Sequence, residues 1–118
     1  MVKFKINNHD WDIRLVEYEG DDAVSVCGHC DYIRNIIYIN INMRPAQRKS
    51  TIIHELSHAF RWSYGFELDV EHSKISNAEI EEIVANFVES FGEQIVELAN
   101  KLNLKLEKEI NGRTSKKS

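Results

Sequence analysis

At Pro45 the hydrophobic pattern of this chain changes its period, and that change restricts the fold more than any other feature. Before it, apolar residues alternate with polar ones, as strands with one buried face require. Val2, Phe4 and Ile6 share one face, and Trp11, Ile13 and Leu15 repeat the pattern. The Asn7-Asn8-His9-Asp10 stretch between them is turn-forming. Gly20-Asp21-Asp22 marks a second turn, a short strand is expected over 23–26 or 27, and the strongest strand signal is 36–41. After Pro45, which suits the first turn of a helix, Ile52, Ile53, Leu56, Ala59 and Phe60 recur at three- and four-residue spacing. The helix they define runs to about Tyr64, with Gly65 placed to cap it. A second helix opens at Ser76, which has capping-box spacing to Glu79. Its apolar face is Ile80, Ile83, Val84, Phe87, Val88 and Phe91, and periodicity continues past a break or bend at Gly92 to about Leu106. Strands followed by helices predict an α+β domain over residues 1–110, and residues 111–118 read as a disordered basic tail.

A chain of 118 residues with 42% hydrophobic side chains is the size of one domain, with enough apolar material for one core. Its net charge of −4 is unevenly spread: residues 65–98 carry nine acidic groups against Lys74, and residues 99–118 are net +4. The overall acidity argues against nucleic acid as a main partner. No apolar run is long enough to span a membrane, and residues 1–5 lack the apolar stretch of a signal peptide. With two cysteines and no disulfide framework, a reducing cytoplasm is the expected location.

Within the first predicted helix lies His54-Glu55-Leu56-Ser57-His58, an H-E-x-x-H motif. Residues four apart share a helix face, so both imidazoles can bind one Zn²⁺ per chain. Glu55 points too far round to join them. It is placed instead to take a proton from a water held by the metal. A catalytic zinc needs a third protein ligand and an open position. Arg61 and Tyr64 stand where a metzincin needs glycine and histidine, which excludes that class. His72, in the connection, and Glu82, on the second helix, are the remaining candidates.

With its short sheet, H-E-L-x-H helix and Glu82-Ile83-Val84-Ala85-Asn86 helix, the chain resembles the ImmA/IrrE family of metallopeptidases, common in phages and other mobile elements. The resemblance is clearest over residues 36–91. It implies a zincin-like fold, with a small, mainly antiparallel sheet packed on the H-E-x-x-H helix and a second long helix. It makes His54, His58 and Glu82 the metal ligands and Glu55 the base, with Asn86 orienting a ligand histidine. Some members carry a further glutamate where this chain has Val84, which keeps Glu81 as a weaker ligand candidate. The implied reaction is zinc-dependent hydrolysis of a protein or peptide substrate, such as a regulator or repressor. Tyr64 or His72 would stabilise the oxyanion. Two other readings stay open: a SprT-like zincin with His72 as third ligand, and a non-catalytic zinc-binding interaction protein.

Cys27-Gly28-His29-Cys30 matches the redox tetrapeptide of thiol–disulfide isomerases, but no helix pattern follows it. It reads as part of a hairpin or turn, with Gly28 as the turn residue.

Overall fold

The computed structural model describes residues 1–65 and 76–117, with side chains through Arg113. Four strands, β1 (Val2–Ile6), β2 (His9–Val16), β3 (Gly28–Asp31) and β4 (Ile36–Asn40), form one sheet in the order β1-β2-β4-β3. Only β2 and β4 run parallel, so the sheet is mainly antiparallel. Helix α2 (Pro45–Ser63) and the long α3 (Asn77–Lys117) follow, giving the α+β architecture expected. Among the described residues no helix is long and apolar enough to cross a membrane.

The β1–β2 hairpin closes through Asn7 and Asn8, both at positive φ (49° and 65°), with Ile6 paired to His9. Two left-handed central residues are what a tight hairpin turn requires, and asparagine tolerates that conformation better than most residues. Inward-facing Trp11, Ile13, Ile37 and Ile39 are fully or almost fully buried against Ile52, Leu56, Ala59 and Phe60 of α2. Ile95, Ala99, Leu102 and Leu106 of α3 complete the core. Two side-chain bonds fasten the hairpin to the end of α2. The Trp11 indole N–H donates to Ser63 Oγ (3.0 Å), and Asn7 Nδ2 donates to the Ser63 carbonyl (3.1 Å).

The helix ends follow the expected chemistry. Pro45 opens α2, and Gly65 at φ +75° follows its C-cap Tyr64, with its N–H on the Trp62 carbonyl (3.2 Å). At α3, Ser76 Oγ accepts from the Glu79 N–H (3.2 Å), which is the predicted cap. Gly92 does not end α3, and the helix also runs through 111–117, past the point where the sequence reading places a tail.

Residues 23–26 are not a strand. Asp22–Ser25 form a single helical turn, α1, and the third strand begins at Gly28. The cause is non-local. Asn40, buried at the end of β4, donates through Nδ2 to the carbonyls of Ala23 (2.9 Å) and Val26 (2.7 Å), and its Oδ1 accepts from the Asn42 N–H (2.9 Å). Those carbonyls therefore have a partner without a sheet neighbour. Gly28, read as a turn residue, lies within β3. A Cβ there would stand 2.8 Å from Thr51 Cγ2 and 2.9 Å from the Tyr38 carbonyl oxygen, so close approach to α2 and β4 is what calls for glycine. An extended Cys27–Cys30 segment also spreads the two Cα atoms by roughly 10 Å, beyond disulfide reach, and neither cysteine is in a disulfide.

Candidate metal centre

The H-E-x-x-H residues sit in the middle of α2, where the helix turns one face to the sheet and another to solvent. Leu56, Ala59 and Phe60 face the core. One side of the helix therefore carries buried Glu55, with 9% of its side chain exposed, and the next carries exposed His54, at 69%. His54 and His58 meet one turn apart. Their ring centroids are 4.9 Å apart, and their Nε2 atoms are 3.3 Å apart. Two nitrogens each about 2.0–2.1 Å from a single tetrahedral zinc stand about 3.3–3.4 Å from one another. The separation is thus compatible with a shared ion, and imidazole nitrogen is a suitable donor for zinc.

His54 Nε2 stands 3.9 Å from Glu55 Oε1, too long for a hydrogen bond. Glu55 and His54 line a cleft of about 520 Å³ together with Ser25, Val26, Cys27, Gly28, Ser50 and Thr51. The far wall is the segment that Asn40 holds, reinforced by the Asn40 N–H donating to the Cys27 carbonyl (3.0 Å). β3, which enters from that wall, is an edge strand of the sheet.

Tyr18, just past β2, also belongs to this region. Its hydroxyl is pushed above the ordinary tyrosine range by partial burial and then by the charge of Glu55, with smaller contributions from Tyr38 and Asp22. The phenol accordingly stays protonated and able to donate near the Glu55 carboxylate. Sequence reading missed this residue, because only the fold brings position 18 towards position 55.

The structure brings His54, Glu55 and His58 together but does not bring Glu82 to them. Among the described residues no three His, Cys, Asp or Glu side chains converge on a common metal position. The reason is the register of the two helices. Arg48 of α2 donates to Asn103 of α3 (2.6 Å), while Phe60 and Tyr64 pack on Phe91, with centroids 5.9 and 4.5 Å away. The helices are therefore antiparallel, and His58 is level with a part of α3 beyond Phe91. Glu82 lies nine residues before Phe91 in the chain, on the other side of it from that level. It is exposed, as are Ala85 and Asn86. Ala99, fully buried, is a small residue in the core that α2 and α3 share. Val84 and Val88 of the predicted apolar face are 52% and 58% exposed.

Tyr64 belongs to an aromatic cluster with Phe60 and Phe91, at the end of α2 beyond His58. Glu81 is exposed on the first turns of α3 beside Glu82, and His72 lies outside the described residues.

Residues 6–109 match the family model of the IrrE N-terminal-like domain of the M78 peptidases. No curated protein and no solved structure matches the chain.

Proposed function

The chain belongs to the IrrE N-terminal-like family, a metallopeptidase-type domain, and from that premise we propose that it hydrolyses peptide bonds with a zinc ion held by His54 and His58. The observation that carries this reading is the 3.3 Å separation of the two Nε2 atoms beside a buried, cleft-lining Glu55. Zinc bound there supplies a Lewis acid that makes water more acidic and a peptide carbonyl more electrophilic.

The remaining steps fall to the protein's own groups. Glu55 accepts the proton of the attacking water on its carboxylate and returns it to the leaving amine. Its partly apolar setting, with no hydrogen bond to a described residue, leaves the carboxylate available for that work. Tyr18 donates its hydroxyl proton in a hydrogen bond to the oxygen on which negative charge develops. As an edge strand, β3 offers backbone groups to an extended substrate, which enters the cleft between Cys27 and His54. A regulator protein, the substrate class that the family resemblance implies, would present such a segment from an exposed loop.

Glu82 is the third ligand on the family pattern, and in that role the first turns of α3 must bring it to the histidine pair. Comparison of Glu82→Gln with wild type by zinc content decides whether they do. The function itself is tested with a panel of extended peptides. Zinc-loaded wild type is expected to cleave members of the panel, and Glu55→Gln to bind zinc but cleave none. Equal inertness of both proteins across the panel would remove the enzymatic reading.

A further inference from the structure

The side of α2 that meets β3 ends on an aromatic pair that the proposed reaction does not use. Thr51, Glu55, His58 and Trp62 follow one another at spacings of four, three and four residues, so they share one face of the helix. Both ends of this row touch the β3 region. Gly28, the first residue of β3, packs closely on Thr51, and Tyr32, just past its last residue, lies on Trp62 with ring centroids 5.2 Å apart and planes at 42°. β3 therefore runs alongside α2 in the same direction, with His54, Glu55 and His58 between the two contacts. The aromatic end is both held and open. Asp31 accepts from the Ile33 and Arg34 N–H groups (3.0 and 3.1 Å), which fixes the turn carrying Tyr32, and Ser63, beside Trp62, is tied to Trp11 and Asn7. Trp62 is nevertheless 49% exposed, and Ile33, next to Tyr32 in the chain, is 95% exposed. Single exposed apolar residues are ordinary, but a held indole–phenol pair on the row that carries Glu55 and His58 has the composition of a binding surface.

We propose that Trp62 and Tyr32 form a substrate subsite that receives a large apolar side chain, so that the protein selects extended peptide segments with an aromatic or leucine residue on one side of the cleaved bond. The proposal rests on the reading of the chain as a zinc peptidase, and continuity with that site names the occupant. A segment laid along β3 past His54 and His58 meets the aromatic pair at its far end. Six residues of helix separate the middle of the histidine pair from Trp62, a rise of about 9 Å. An extended chain covers that distance in about three residues, at roughly 3.3 Å each. The selected side chain therefore stands about three residues from the scissile bond, on the side towards Tyr32. Indole and phenol rings already packed on each other give contact area to a phenyl or isobutyl group with little further loss of side-chain freedom.

Peptide hydroxamates test this apart from turnover, because a hydroxamate on the metal fixes the register of the peptide. Two alanine-based series, one with the hydroxamate at each end, carry a single phenylalanine at increasing distance from it, and binding to the zinc-loaded protein is read by fluorescence anisotropy of a label at the other end. In one of the two series, phenylalanine about three residues from the hydroxamate should tighten binding roughly tenfold over alanine, with smaller gains at other positions. Trp62→Ala and Tyr32→Ala should each remove most of that gain with zinc content at the wild-type level, and Trp62→Phe should keep part of it. With cleavable peptides, Trp62→Ala should raise KM for the phenylalanine substrate more than it lowers kcat. Equal affinity for phenylalanine and alanine at every position, or a preference that survives both alanine variants, would overturn the subsite and leave the zinc reading in place. Failure of every hydroxamate to bind zinc-loaded wild type would sink the zinc reading, and this proposal with it.

Discussion

Replacing Gly28 by alanine tests the packing that forms the cleft. In most extended positions that exchange is stabilising by about 0.4–1 kcal/mol, because it restricts the unfolded chain. Here the new methyl would stand 2.8 Å from Thr51 Cγ2 and 2.9 Å from the Tyr38 carbonyl oxygen. Thr51 can give way by a small rotation, but the carbonyl belongs to the backbone of β4 and is held in its ladder with β3. The edge strand must therefore move away from α2. Overpacking of this kind costs about 1–3 kcal/mol, and subtracting the backbone gain leaves a net loss of up to about 2.6 kcal/mol. For a chain of this size the melting temperature should fall by up to roughly 10 °C. Urea unfolding followed by far-ultraviolet circular dichroism gives the midpoint and slope. The midpoint should drop at constant slope, since the surface exposed on unfolding hardly changes. Thr51→Ser removes the nearer contact and leaves the carbonyl, so the double variant should recover part of the loss. Stability of Gly28→Ala at or above wild type, or strict additivity with Thr51→Ser, would refute the close-packing account of β3 and α2.

Other consequences can be measured on the same protein. Ser63→Ala leaves the buried Trp11 N–H without its acceptor and should cost about 1–3 kcal/mol, read by urea unfolding. A loss below about 0.5 kcal/mol would mean that the bond is dispensable. Tyr18→Phe should lower kcat by roughly 10²–10³ with a smaller effect on KM, and an unchanged kcat would remove Tyr18 from the mechanism. Because burial and Glu55 raise the Tyr18 pKa, its donor form should persist on the alkaline side to beyond about pH 10. Asp31 titrates the other way. Its carboxylate accepts the Arg34 and Ile33 N–H groups and the Arg34 guanidinium (3.1, 3.0 and 3.1 Å), which hold its pKa below the usual carboxylate range. Its contribution to stability is thus present above the unfolded-state pKa and lost as pH falls through the folded one. Any stability advantage of wild type over Asp31→Asn should shrink across that acid range, and a pH-independent difference would contradict the turn's charge-assisted bonds.

Much of this fold is written locally. The Asn-Asn hairpin, the start of α2 at Pro45 and the stop at Gly65 each follow from a few adjacent residues. So does the placement of His54 and His58 on one face, which a single helix period determines. What could not be read is the geometry between elements. Val24 and Val26 suggest extension, and Asn40, fourteen residues past Val26, overrides it by binding two carbonyls of the turn. Glu82 and Asn86 keep the spacing expected of the family, yet spacing along one helix does not state where that helix meets another. The level of α3 against α2 is set by Arg48 on Asn103 and by Phe60 on Phe91, contacts that no local pattern encodes. The Cys-x-x-Cys segment reads as a turn, and the position of Cys27 in the cleft with His54 and Glu55 emerges only when β3 packs on α2.

The central claim is that His54 and His58 hold a metal for Glu55 to work beside, and zinc stoichiometry tests it most directly. Purified wild type, dialysed against metal-free buffer after zinc loading, should retain one zinc per chain by elemental analysis. The His54→Ala, His58→Ala double variant, folded by circular dichroism, should retain none. Equal zinc in both proteins, or none in wild type, would contradict the account.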